Sequence, residues 1–286
     1  MTAIALRSFA TTRDYLELSK SRIVLMVLMT TAAGYLIAAP RVDPLVLVNA
    51  LVGTALVAAG TNALNQYVER KHDAKMRRTK LRPLPDGRIT PRAALTFSAA
   101  IAIIGTLYLG LTINWLTAAL GAFTLTSYIF VYTPLKRIST ICTIIGAVPG
   151  AIPPLMGWTA ATNHLALGGW IAFAILFFWQ LPHFMALSWI YREDYHDAGF
   201  FMSSASAARQ AVLFSLALLA ASVAPSFIGM SGIAYAIGAV ICGVMMIAMS
   251  IRFFFDRTNR TAMRLFMTSN MYLIVVMTLL VVSVRA

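Results

Sequence analysis

Marking only Asp, Glu, Lys and Arg divides the chain into six long uncharged runs. They are 23–40, 44–68, 93–135, 138–191, 210–251 and 265–284, with lengths of 18, 25, 43, 54, 42 and 20 residues. A helix crossing a bilayer takes about 20 apolar residues. The runs therefore predict one, one, two, two, two and one spans, nine in all. Each double run has an internal break: Asn114-Trp115, Thr162 to His164, and Gly229 to Gly232. Asn and Gly suit short turns, and Trp suits the membrane interface. None of the runs alternates polar and apolar residues, as the strands of a membrane β-barrel would. The fold class that follows is all-α, a polytopic membrane protein with nine transmembrane helices in a single transmembrane domain over 1–286.

Composition supports this reading and narrows it. Of the 286 residues 59% are hydrophobic and only 12% are charged, about half the charged share of a soluble domain. A soluble enzyme and a disulfide-stapled secreted domain are excluded. Cys142 and Cys242 fall in different apolar runs and read as small packing residues. No CxxC, HExxH, GxxxxGK[ST] or GxGxxG pattern is present.

The net charge of +13 would suit a nucleic-acid partner if it were spread over one surface. Its placement says otherwise. With nine spans and the N-terminus inside, 21 of the 23 Lys and Arg residues fall in inner segments, and only Arg41 and Arg285 lie outside. The positive-inside rule then predicts a cytoplasmic N-terminus and an external C-terminus. The run from Ile23 opens a multi-spanning pattern and lacks a small-residue cleavage site, so it is not read as a signal peptide. The expected surroundings are a lipid bilayer, with no nucleic acid.

Only ten acidic residues occur, so their positions carry information. Glu69, Asp73 and Asp86 follow the second span, in the inner stretch 65–93. Glu193, Asp194 and Asp197 follow the sixth, in the inner stretch 191–209. The spacing resembles a parallel repeat of four-helix units, with weak residue-level similarity. Asn65, Glu69 and Asp73, just after Asn62, recur at i, i+4 and i+8 and share one helix face. A row of hard oxygen donors suits Mg²⁺, above all where phosphate oxygens complete the shell. The competing reading is a pair of solvated juxtamembrane turns. Arg78, Arg82 and neighbouring cations surround the first cluster, and Tyr132, Lys136 and Arg137 form a third inner stretch. Carboxylates beside Arg and Lys suit phosphate-ester chemistry; alone, such cations are topology determinants. Every charged residue lies outside the expected spans, which argues against a transporter with ionisable groups along its path.

Together these stretches resemble the UbiA superfamily of intramembrane prenyltransferases. Asn65, Glu69 and Asp73 stand for its first acidic motif, Tyr132 and Lys136 for its Y-x-x-x-K motif, and Glu193, Asp194 and Asp197 for its second. Within the superfamily the chain is most similar to the branch that farnesylates protoheme IX. That similarity rests on Asp73 to Leu84 (D-x-x-M-x-R-T-x-x-R-P-L), Trp179 to Phe184 (W-Q-x-P-H-F), Asp194-Tyr195 with Ala198-Gly199, and Tyr15 to Arg22. Gln66, Glu69 and Ser21 depart from the expected acid, Asp and Pro. Glu for Asp keeps the charge and lengthens the arm, which puts individual metal ligands in doubt.

The resemblance implies transfer of a farnesyl group from farnesyl diphosphate to a vinyl group of heme b. It implies Mg²⁺ on Asn65, Glu69, Asp73, Asp194 and Asp197, with catalytic roles for those at 65, 69, 73 and 194 and for Tyr132 and Lys136. Asn62, Arg78, Arg82, Arg137, His183 and Asp197 would bind substrate. His183 has two readings, contact with heme or a hydrogen-bonded histidine near the Pro182 kink. His72 and His196 read equally as plain loop residues, His164 as an outer-side residue, and Met245, Met246 and Met249 as helix packing. Another acceptor, aromatic or quinone-precursor, is the alternative within the superfamily. Heme A synthase or terminal oxidase assembly factors are the expected downstream partners. The chain starts close to the family's first helix without an Arg/Ser-rich presequence, which favours a bacterial inner membrane, with the active site at its cytoplasmic face.

Overall fold

The computed structural model describes residues 10–201 and 206–285. Residues 1–9 of the expected first inner segment, and 202–205 of the stretch 191–209, lie outside the described residues. Among the described residues there are helices and no strands: α1 (Thr12–Leu18), α2 (Ser21–Ala38), α3 (Pro44–Asp73), α4 (Pro91–Thr112), α5 (Trp115–Thr126), α6 (Thr133–Leu135), α7 (Cys142–Thr162), α8 (Leu167–Ile190), α9 (Arg192–Asp197), α10 (Ala207–Phe227), α11 (Ile233–Phe255) and α12 (Asn259–Arg285). A π-helical turn, Ser127–Tyr132, joins α5 to α6 within one span, Trp115–Leu135. Nine candidate membrane spans result, and the chain is a multi-pass membrane protein.

The helices start and stop on local signals. Asp43 caps α3, its carboxylate accepting from the Leu45 and Val46 N–H groups, with Pro44 in the first turn. Thr90 with Pro91 opens α4, and Asn114 opens α5 by accepting from Thr117 N. Proline costs nothing there because its missing N–H would have no partner. Asn163 ends α7 in the left-handed region, φ 56°, and Gly229 turns with φ 71° after α10. All three expected breaks are therefore turns.

One boundary differs. The uncharged run stops at residue 68, but α3 continues through Glu69 to Asp73. At 30 residues it is about 45 Å long, nearly three turns more than the ~30 Å hydrocarbon core. Charge marks where a span leaves the apolar layer, whereas the backbone ladder continues. Glu69, Arg70, Lys71 and Asp73 are thus helical.

Each long helix packs on the next in chain order, and α12 closes the ring against α2. Inside the ring α2 also meets α7, and α8 meets α12. The α2–α7 crossing is very close. A Cβ on Gly34 would overlap the Pro154 carbonyl, and one on Gly157 would overlap the Thr31 carbonyl. Small residues at such crossings let membrane helices approach where lipid gives no hydrophobic driving force. The largest core lies between α8, α10, α11 and α12, around Ile175, Leu218, Met246, Leu265 and Val276.

Candidate active site

At the end of the ring that carries the basic loops, the inward face of α3 holds Asn62, Asn65, Gln66, Glu69 and Asp73, all buried. Asn65, Glu69 and Asp73 each meet a cation from a different segment. Lys20 Nζ donates to Asn65 Oδ1 at 3.3 Å, Lys136 Nζ to Glu69 Oε1 at 2.8 Å, and Arg82 NH1 to both Asp73 oxygens at 2.9 and 2.8 Å. Buried charge is costly unless paired, and here the pairing comes from three separate segments of the chain.

Lys20 reaches the site through an unusual turn. It separates α1 from α2 with a left-handed backbone, φ 52°, which costs a non-glycine residue on the order of 1–3 kcal/mol. Gln66 holds the turn, its Nε2 donating to the carbonyls of Glu17 and Leu18 at 3.2 and 2.7 Å. Arg88 clamps α1 through Asp14 and Glu17 and pairs with Asp86 of its own loop. Burial, with Arg82 nearby, pushes the Lys20 ammonium down to about 7. Burial also pulls on Lys136, but Glu69 outweighs it and holds that ammonium well above the ordinary lysine value.

The π turn sets the other wall. Lys136 Nζ lies 4.4 Å from the centre of the Tyr132 ring and 5.9 Å from that of Phe200, and cations are attracted to aromatic faces at such distances. Phe201 N donates to the Lys136 carbonyl at 2.7 Å, tying this stretch to the one after α9.

The second acidic stretch joins the first more loosely. Asp194, half-buried, accepts from the Arg77 backbone N–H at 3.1 Å. His72 Nδ1 bonds the Ala198 carbonyl at 2.9 Å and its ring lies against Phe200. Glu193 and Asp197 have side chains 77% and 53% exposed and lie 3.9 and 3.6 Å from Arg192 and His196. Arg78 is exposed and stacks over the Tyr191 ring, and Arg137 is exposed. The structure thus brings together Asn65, Glu69, Asp73, Arg82, Tyr132 and Lys136, sets Asp194 at their edge, and leaves Asp197, Arg78 and Arg137 at the surface.

His183 stands apart, on α8 facing α12. Its ring lies between Trp179 and Phe266, with centroids 4.9 and 4.7 Å away, and Nδ1 is 2.8 Å from Ser269 Oγ. Ser269 Oγ donates to the Phe266 carbonyl at 2.6 Å. A serine carries one hydroxyl proton, so His183 Nδ1 donates to Ser269 and Nε2 keeps its lone pair. His164 and His196 are exposed, and Cys142 and Cys242 are free thiols.

Among the described residues no three or more His, Cys, Asp or Glu side chains converge on one point. The donors on the inward face of α3 are two carboxylates and a carboxamide spread along about 12 Å of helix, a set that leaves most of a hard cation's shell to phosphate oxygens and water, as Mg²⁺ prefers. In that sense the residues fit. From sequence, Gln66 stands out only as a departure from an expected acid and Lys20 only as part of the Tyr15 to Arg22 stretch. Thr133 and Ser269 were not singled out, because their roles depend on contacts across many residues.

The description "UbiA prenyltransferase family" matches residues 27–274. The chain is 43% identical over 277 residues to a protoheme IX farnesyltransferase of Solibacter usitatus, covering 91% of this chain and 95% of that one. It is 40% identical over 273 residues to the mitochondrial protoheme IX farnesyltransferase of Homo sapiens, covering 94% of this chain and 62% of that one. The fold is similar to digeranylgeranylglyceryl phosphate synthase (TM-score 0.81, 20% identity, 96% and 99% of the two chains). It is also similar to a UbiA homolog from Archaeoglobus fulgidus bound to GPP and Mg²⁺ (TM-score 0.67, 16% identity, 96% and 100%). Family match, relatives and fold agree, and the chain belongs to the UbiA prenyltransferase family.

Proposed function

We propose that this protein transfers the farnesyl group of farnesyl diphosphate to a vinyl group of heme b. The observation that carries the chemistry is the buried row of Asn65, Glu69 and Asp73, faced by Lys20, Lys136 and Arg82. The acceptor rests on 43% identity to a protoheme IX farnesyltransferase across nearly the whole chain.

Asn65, Glu69, Asp73 and Asp194 would hold Mg²⁺, with Asp197 further out. When bound it supplies Lewis-acid charge stabilisation to the leaving diphosphate. Arg82 and Lys136 supply fixed positive charge where the negative charge develops, and Lys20 adds to it in its ammonium form. The allylic C–O bond breaks with its electron pair leaving on diphosphate. The vinyl carbon of heme then bonds the farnesyl carbon, and water adds to the resulting cation and loses a proton. Tyr132 borders the site with its ring under the Lys136 ammonium, and its π electrons would suit the allylic cation once Lys136 is drawn to the leaving diphosphate. Asn62, Arg78 and Arg137 would guide the diphosphate from the surface.

His183 would meet the heme through its Nε2 lone pair, as axial histidines do. His183→Ala should then weaken heme binding more than farnesyl diphosphate binding; equal loss of both would assign it a structural role. The basic end would face the cytoplasm of a bacterial inner membrane, with the product passing to heme A synthase or oxidase assembly.

The test supplies membranes holding the protein with heme b, farnesyl diphosphate and Mg²⁺ and weighs the extracted hemes. The expected product has the mass of heme b plus farnesyl plus water. Its absence, with an aromatic acceptor prenylated instead, would move the assignment to another branch of the family.

A further inference from the structure

Asn65 can present either end of its amide to the site, and the two choices do opposite chemistry. An oxygen facing inward serves a cation; an NH₂ group serves a diphosphate oxygen. We infer that Thr133 fixes this choice, holding the Asn65 amide so that Oδ1 alone faces the site and Asn65 acts only as an acceptor for cations.

Two ends of one hydrogen-bond chain agree on this. Lys20 Nζ lies 3.3 Å from one amide atom and donates to it, so that atom is the oxygen. The other amide atom lies 3.1 Å from Thr133 Oγ1 and is therefore the NH₂, so Thr133 accepts. Thr133 can accept because its single proton is already committed to the Tyr128 carbonyl at 2.8 Å. That carbonyl is five residues back because Ser127–Tyr132 is π-helical, and the Thr133 backbone N–H donates to it as well. Thr133 and Asn65 are 0% and 1% exposed, so water offers the amide no substitute partner. A π turn inside an α-helical span is rare and tends to occur at functional sites; here it supplies the acceptor that orients a site amide.

Thr133 is thus a positioning residue, and the inference rests on the reading that the α3 row binds a divalent cation. Its test uses Mn²⁺ as the probe. The full-length protein is titrated with Mn²⁺ beside a slowly ionising farnesyl thiolodiphosphate, and free Mn²⁺ is read by electron paramagnetic resonance. Losing a group that orients a metal ligand costs about 10–100-fold in metal affinity. Thr133→Val should weaken Mn²⁺ by about that factor, and Thr133→Ser should stay within about threefold. Thr133→Ala gives the same reading should valine distort the turn. Because Thr133 acts through Asn65, Asn65→Ala combined with Thr133→Val should lose no more than Asn65→Ala alone.

Wild-type Mn²⁺ affinity in both Thr133→Val and Thr133→Ala, with Asn65→Ala weakened, would overturn the positioning role alone. So would a lowered melting temperature without any change in Mn²⁺ affinity. Wild-type affinity in Asn65→Ala would overturn the cation-site reading itself, and the inference with it.

Discussion

Two acidic stretches, Glu69 to Asp73 at the end of α3 and Glu193 to Asp197 in α9, hold two and three carboxylates and occupy unlike surroundings. In the first, both carboxylates are buried and each is matched by a cation from another segment. In the second, one carboxylate is half-buried on a backbone N–H and two are exposed. A fixed, desolvated charge acts far more strongly than a solvated one, since the effective dielectric falls and no reorganisation is required. On the proposed reading the first stretch carries the chemistry and the second lends it Asp194.

The sharpest way to break this comparison is Asp73→Asn. It removes a buried charge and the partner of Arg82, and transition-state charge stabilisation of several kcal/mol corresponds to about 10³-fold in rate. Farnesyl transfer should fall by that order while the protein still inserts, as measured by turnover and by membrane yield.

Next in size is Lys136→Met, which leaves Glu69 buried and unpaired. Removing one partner of a buried pair costs about 3–5 kcal/mol, to be read as a lowered unfolding midpoint in detergent. Adding Glu69→Gln should restore most of that stability and none of the turnover. If the double variant regained activity, the pair would be structural only.

Within α9 the account expects a gradient. Asp194→Asn should lose about tenfold in turnover, equivalent to a charge-assisted hydrogen bond of about 1.4 kcal/mol. Glu193→Gln should change it by less than about twofold, as exposed pairs are worth little. Equal effects would erase the distinction between edge and surface.

The smallest effect concerns the clamp that holds the Lys20 turn. Hydrogen bonds from the Thr11 backbone and hydroxyl, with Arg88 beside it, hold the Asp14 carboxyl below its ordinary value. A lowered value in the folded state means stability that is present above the unfolded value of about 3.9 and lost as pH falls through the folded one. Stabilities of the protein and of Asp14→Asn should therefore differ at neutral pH and converge as pH falls below about 3.9 and through the folded value. A constant gap across that range would show that Asp14 contributes by packing.

Much of the architecture was legible because a bilayer punishes unpaired charge, so uncharged runs marked the spans and Asn114, Asn163 and Gly229 marked the turns. The uncharged run stopped short of the end of α3, because charge reports the edge of the apolar layer and a helix can outrun it; the four-residue spacing carried the helix on to Asp73. The row of Asn65, Glu69 and Asp73 followed from a four-residue spacing alone. Its partners did not. Lys20 meets Asn65 across 45 residues, Lys136 meets Glu69 across 67, and Thr133 meets Asn65 across 68. The π turn lies in an apolar stretch, Ser127–Tyr132, with neither Gly nor Pro to announce it. The sequence also placed Asp197 with Asp73 among the expected metal ligands, and burial and the Arg82 pair separate them.

The central claim is that the α3 row, and not the exposed end of α9, carries ionisation of the prenyl diphosphate. Asp73→Asn and Asp197→Asn, tested side by side in membranes with heme b, farnesyl diphosphate and Mg²⁺, address it most directly through the mass of the extracted heme. The account predicts that Asp73→Asn yields about 10³-fold less farnesylated heme while Asp197→Asn stays within about twofold of the unaltered protein. Normal product from Asp73→Asn, or its loss from Asp197→Asn alone, would contradict it.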